Sequence, residues 1–313
     1  MPKSTRSYAP GGDERLGIRV ITLPYNVAGK YCGGGMGPRA LVEAGLPREL
    51  SVRGYTVTSV ETVEMPPCEE QIYGGWRRVA MANAHLADLT ATANAAGDFV
   101  LALLADCNGV LGVLGGLARG TRPNQPRRVG LVWIDAHGDY NTPDTSPSGM
   151  LGGMPVAVAA GKCLGELRRR SGLELPLQSP DIVMAGLRDL DAEERQAIEA
   201  DGIVCLSEQD LLLGSQGLLE AMDYLCRRED VIYVHIDLDI LDPVLAPAAG
   251  LPTSGGISGS QLGAALARLV SYPKVGALAF ASYSPERDSD GRTQQEVMAG
   301  ILGATAGLGG RCR

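Results

Sequence analysis

Short apolar runs alternating with helical stretches constrain this chain most. Residues 17–23 (GIRVITL), 99–105 (FVLALLA), 129–134 (VGLVWI), 181–187 (DIVMAGL), 203–205 (IVC), 231–236 (VIYVHI) and 275–281 (VGALAFA) each read as a strand. Helical patterns follow Arg39 and cover about 77–96, 108–119, 154–173, 191–200, 207–212, 215–227, 259–270 and 293–307. Strands apolar on both faces, each followed by a helix, predict a parallel sheet covered on both sides. We expect one α/β domain over residues 17–313, preceded by a polar, flexible arm at 1–16. In such sheets the chemistry sits beyond the C-terminal ends of the strands.

Composition narrows the function classes. A net charge of -8 argues against nucleic acid and against anionic membranes as partners. No apolar run approaches the roughly 20 residues that a membrane helix needs, and the polar N-terminus has no apolar signal core, so a cytoplasmic protein is expected. The seven cysteines are scattered and odd in number, which suits reduced thiols, and no C-x-x-C pair offers a zinc knuckle.

Two strand ends carry the chemistry. After VGLVWI come Asp135, His137 and Asp139; after VIYV come His235, Asp237 and Asp239. If each strand continues, a period of two points alternate residues the same way. So many ionisable groups repel one another without a counter-charge. Two divalent cations about 3.5–4 Å apart relieve that repulsion and can make a shared water nucleophilic near neutral pH. Carboxylate and imidazole donors suit Mn2+ best, with Zn, Fe, Co or Ni as alternatives. The competing reading is that these residues are strand-end caps and turns.

These two segments, D-A-H-G-D-Y-N-T-P and H-I-D-L-D-I-L-D-P, resemble the metal motifs of the ureohydrolases, the arginase and agmatinase family. The segments GGGMGPRAL (33–41), SGMLGGMP (148–155), AGLRDLD (185–191) and the loop 246–258 extend the resemblance over nearly the whole chain. It implies a three-layer α/β/α sandwich around a mainly parallel eight-stranded sheet, and a homotrimer or homohexamer. It further implies that Asp135, His137, Asp139, Asp237 and Asp239 are ligands, with Asp135 and Asp237 bridging. Asp139 would also hold the attacking hydroxide by a hydrogen bond. Asn141 and Ser148 match positions that bind an α-carboxylate, and Asp191 the one that receives an α-ammonium.

Four positions depart from the family pattern. Cys107, in L-A-D-C-N, stands where the family has the remaining ligand His; as thiolate it can still bind a divalent metal, and otherwise it is a buried small residue. A branch similar to the Nω-hydroxy-arginine amidinohydrolases of antibiotic biosynthesis shares that Cys. Gly152 replaces the proton-shuttling His of arginases. The guanidinium-facing Glu falls on Ala281 or Ser282, which removes a charge-assisted hydrogen bond worth roughly 1.5–3 kcal/mol. His235 stands where Ser is common; it is a candidate for proton delivery, or else a hydrogen-bond partner of a ligand. The expected activity is therefore binuclear hydrolysis of a guanidino C–N bond in an arginine-like amino acid, Nω-hydroxy-arginine being the first candidate. Hydrolysis of an amide or formimino C–N bond, and a non-catalytic relative that binds metal and an amino acid, are the alternatives.

Overall fold

The computed structural model describes residues 16–120, 125–309 and 311; of the expected arm, only Leu16 lies among them. Eight strands form the main sheet: β1 (Gly17–Leu23), β2 (Thr56–Thr62), β3 (Phe99–Leu104), β4 (Val129–Ile134), β5 (Ile182–Ala185), β6 (Val204–Leu206), β7 (Val231–Asp237) and β8 (Val275–Ala281). Their order is β2-β1-β3-β8-β7-β4-β5-β6, and every pairing is parallel. The longer helices are α1 (Gly75–Ala95), α2 (Val110–Ala118), α3 (Ala192–Ala200), α4 (Gln216–Arg228), α5 (Gly259–Val270) and α6 (Arg292–Ala304). None of the described helices is long and apolar enough to cross a membrane.

Period-two alternation builds the layers. Phe99, Leu101 and Leu103 of β3, with Ile232, Val234 and Ile236 of β7, pack into one core with α4, α5 and α6. Val100, Ala102 and Leu104, with Val231 and Tyr233, pack into the other core with α1 and α2. Successive side chains of one strand thus enter opposite cores, which is the three-layer α/β/α sandwich expected.

Two elements differ from the sequence reading. β2, TVTSVET, alternates exposed and half-buried residues and pairs only with β1, at the sheet edge. Its polar, one-sided pattern lacks the continuous apolar run that marks the inner strands. The expected helical stretch at 154–173 is two short helices, Pro155–Ala159 and Gly165–Arg170. Gly161 (φ 76) and Leu164 (φ 45) take left-handed backbone between them, which no helix continues through.

Candidate metal centre

Four neighbouring strands, β3, β8, β7 and β4, end at one point, and each brings a predicted site residue there: Cys107 after β3, Ser282 after β8, Asp237 at the end of β7 and Asp239 just beyond it, and Asp135, His137 and Asp139 after β4. Continued strand alternation does not produce this convergence. β4 stops at Ile134 and β7 at Asp237. Beyond three strand ends the chain repeats one device, in which an aspartate Oδ1 accepts from the backbone N–H two residues on: Asn108 N to Asp106 (3.0 Å), His137 N to Asp135 (2.6 Å) and Asp239 N to Asp237 (3.0 Å). Such turns curl the chain over the strand end, so the donors face inward from loops rather than from one strand face. Asp139 then takes a left-handed conformation (φ 48).

The donors form two trios. Ligand atoms of Cys107, Asp135 and Asp237 lie within 4.8 Å of one another, as do those of Asp135, His137 and Asp239; Asp135 belongs to both. The Cys107 thiol donates to Asp237 Oδ2 (2.8 Å), and the Ser282 hydroxyl donates to the same oxygen (2.7 Å). His137 Nδ1 lies 3.1 Å from Asp239 Oδ2 and 3.4 Å from Asp135 Oδ1. Asp139 belongs to neither trio but lines the cavity above them.

That cavity, about 430 Å³, is lined by carboxylates, His137, small polar and glycine residues and the apolar Val27, Met150, Leu151 and Leu251, with no Lys or Arg among the described residues. A larger one, about 730 Å³, lies at the opposite end of the sheet beside Val129, away from every donor described above. Burial and mutual repulsion push the carboxyls of Asp135 and Asp139 well above the usual range. Burial, then the Asp239 charge, pushes Asp237 up to about 7. Burial works against charge on His137, but hydrogen bonds to Asp135 and Asp239 outweigh it and raise the imidazole to about 11. The Cys107 thiol is pushed far up by burial and by the aspartates around it. Among the described residues, Asp135 Oδ2 is buried with no hydrogen-bond partner. A shared carboxylate with an idle buried oxygen, between two trios of anionic and imidazole donors, fits a pair of divalent cations.

The substrate-end residues line the same cavity. Asn141 is buried and donates through Nδ2 to Asp191 Oδ2 (2.9 Å), which ties the two loops together. Ser148 and Asp191 are exposed. Gly152 also lines the cavity, and a Cβ there would be in ordinary contact with Met150 Sδ at 3.6 Å, so the backbone would admit a side chain where the shuttle His is expected. Ala281 is fully buried, and Ser282 takes φ 76, a conformation that costs a non-glycine residue about 1–3 kcal/mol. His235 does not line the cavity. It is fully buried behind Cys107, with Nε2 3.3 Å from the sulfur, and burial lowers its pKa to about 3.

The sequence reading missed the residues that hold the donors. Thr253 Oγ1 lies 3.3 Å from His137 Nε2, which leaves Nδ1 facing the carboxylates. Arg188 donates to the Asp239 carbonyl (2.6 Å) and pairs with Glu208 (2.9 Å). Gly250 (φ 39) lies over the centre: a Cβ there would sit 2.8 Å from Asp239 Oδ2 and 2.9 Å from Asp237 Oδ1. The segments 185–191 and 246–258 carried these residues among the resemblances, but their roles depend on contacts between distant loops.

Comparisons with known proteins point to one family and one fold. The arginase family model matches residues 16–306. Arginase of Bacillus caldovelox is 30% identical over 298 residues, covering 93% of this chain and 98% of that protein. Arginase of Bacillus subtilis (strain 168) is 32% identical over 296 residues, covering 91% and 97%. The crystal structure of arginase from Bacillus subtilis superposes with a TM-score of 0.77 at 29% identity, over 94% of this chain and 99% of that one. Sequence, fold and donor set together place the chain in the arginase family of ureohydrolases.

Proposed function

We propose that this chain is a binuclear amidinohydrolase that cleaves the guanidino C–N bond of an arginine-like amino acid, releasing urea or a substituted urea and ornithine. The supporting observation is the pair of donor trios sharing Asp135, open on one side to a cavity that also holds Asn141, Ser148 and Asp191. Cys107, Asp135, Asp237 and Asp135, His137, Asp239 would hold the two cations, for which Mn2+ is the first candidate. When bound, they lower the pKa of a water and polarise the amidine.

The remaining steps belong to the chain's own groups. Asp139, on the cavity wall, accepts a hydrogen bond from the attacking water and fixes its direction. Asn141 and Ser148 take the α-carboxylate, and Asp191 the α-ammonium, which sets the amidino carbon over the trios. Ser282 holds Asp237 Oδ2 and offers its hydroxyl to the guanidino end. No side chain at Gly152 delivers a proton to the leaving amine, so water or the substrate supplies it. An N-hydroxyguanidine suits both departures: it is less basic, so it depends less on a carboxylate at Ala281 or Ser282, and its hydroxyl can relay a proton. We therefore rank Nω-hydroxy-arginine first.

One observation favours a second reading. The absence of a carboxylate at the end of β8 also suits a formimino or amide C–N substrate. Purified, Mn2+-loaded protein should be given arginine, Nω-hydroxy-arginine, agmatine, guanidinobutyrate and formiminoglutamate. Ornithine release, fastest from Nω-hydroxy-arginine, is expected. Turnover of formiminoglutamate alone would favour the second reading, and turnover of none would favour a non-catalytic binder.

A further inference from the structure

We infer that Tyr233 and His235 form a buried donor relay that fixes the Cys107 sulfur in place, so that His235 is a positioning residue and not a proton donor to substrate. The inference rests on the reading of Cys107 as a metal ligand.

Tyr233 and His235 are two apart on β7 and so enter the same layer. Both are fully buried. The Tyr233 hydroxyl lies 2.7 Å from His235 Nδ1, and His235 Nε2 lies 3.3 Å from Cys107 Sγ. Trp133, the register partner of His235 on β4, stacks on the imidazole with ring centroids 4.2 Å apart and planes 5° apart. The ring is therefore held by a stack on one face and a partner at each nitrogen.

The direction of the relay follows from hydrogen-bond accounting. Among the described residues, the Tyr233 hydroxyl makes one hydrogen bond, to His235 Nδ1. If Nδ1 were the donor, the hydroxyl hydrogen would be buried without an acceptor, which proteins avoid. Tyr233 therefore donates to Nδ1. The imidazole proton then sits on Nε2, and Nε2 donates to the sulfur. An N–H···S bond from a pinned ring that does not line the cavity restrains the sulfur from within the core. It also disperses the charge that a thiolate ligand brings into a site already crowded with carboxylates. Partners of this kind orient metal ligands, and their loss typically costs about 10–100-fold in metal affinity.

Cobalt(II) substitution of the full chain tests this without catalysis. The native protein should show a thiolate-to-cobalt charge-transfer band, absent in Cys107→Ser. His235→Phe should bind cobalt about 10–100-fold more weakly and, at saturating cobalt, show the band at longer wavelength, because the sulfur has lost its donor. His235→Gln, which keeps a side-chain N–H, should recover part of both. Tyr233→Phe keeps the ring and removes one oxygen; it should shift the band in the same direction by less, and it serves if His235→Phe does not fold. An unmoved band in folded His235→Phe, or in Tyr233→Phe if the first variant fails, would overturn the relay while leaving Cys107 a ligand. No band in cobalt-loaded native protein would overturn that assignment of Cys107 and the relay with it.

Discussion

The trio of Cys107, Asp135 and Asp237 is buried throughout, whereas the trio of Asp135, His137 and Asp239 opens to the cavity through His137, whose side chain is 23% exposed. The first mixes a soft sulfur with carboxylates and is backed by Trp133, Tyr233 and His235. The second has oxygen and nitrogen donors and is backed by a loop, through Thr253 and Gly250. The contrast teaches that two cations sharing one carboxylate need not be equivalent. The inner one should be tightly held and tolerant of softer metals, and the outer one should exchange more readily.

The largest effect should come from removing what the trios share. Asp135→Asn should cost more than about 100-fold in ornithine formation, because one change weakens both positions. Retention of both cations by elemental analysis would show that Asp135 is not the bridge. The contrast sharpens with single-trio variants. Cys107→Ser should leave close to one cation per chain, still sensitive to His137→Asn, while His137→Asn alone should leave the inner cation in place. Equal losses from both variants would mean that the trios act as one unit.

Gly250→Ala tests the lid that lies across both trios. The added methyl meets carboxylate oxygens at 2.8 and 2.9 Å in a backbone region suited to glycine. A loss of about 1–3 kcal/mol in stability is expected, seen as a lowered Tm. The smallest effect concerns pH. In the metal-free protein His137 keeps its proton up to about 11, while in the unfolded chain it loses it near 6.5. Folded His137 thus binds the extra proton, and its contribution to stability falls as pH rises from 7 to 9, by at most about 1.4 kcal/mol per pH unit, with the raised carboxyls of Asp135 and Asp139 acting in the same direction. His235, lowered to about 3, is neutral in the folded state, and the unfolded imidazole is mostly neutral above pH 7, so it opposes that slope only slightly, near pH 7. Metal-loaded protein, in which the cation displaces the proton, should lose this slope, as paired denaturation curves would show.

The inner strands were legible because burial on both faces leaves continuous apolar runs, and the donors were legible because Asp and His recur at fixed spacing after two of those runs. The polar edge strand β2 was not. The geometry that gathers the donors was not legible either. It comes from aspartate turns at Asp106, Asp135 and Asp237, which read in sequence like continued strand. Two departures from the family pattern, Cys107 and His235, looked independent at 128 residues apart, yet they touch. Only the parallel pairing of β3, β8 and β7 brings them together.

Anomalous diffraction from crystals of the manganese-loaded protein tests the central claim most directly. Two peaks are predicted on either side of Asp135, one of them within bonding distance of the Cys107 sulfur. A single peak beside His137, with the sulfur still hydrogen-bonded to Asp237, would contradict it.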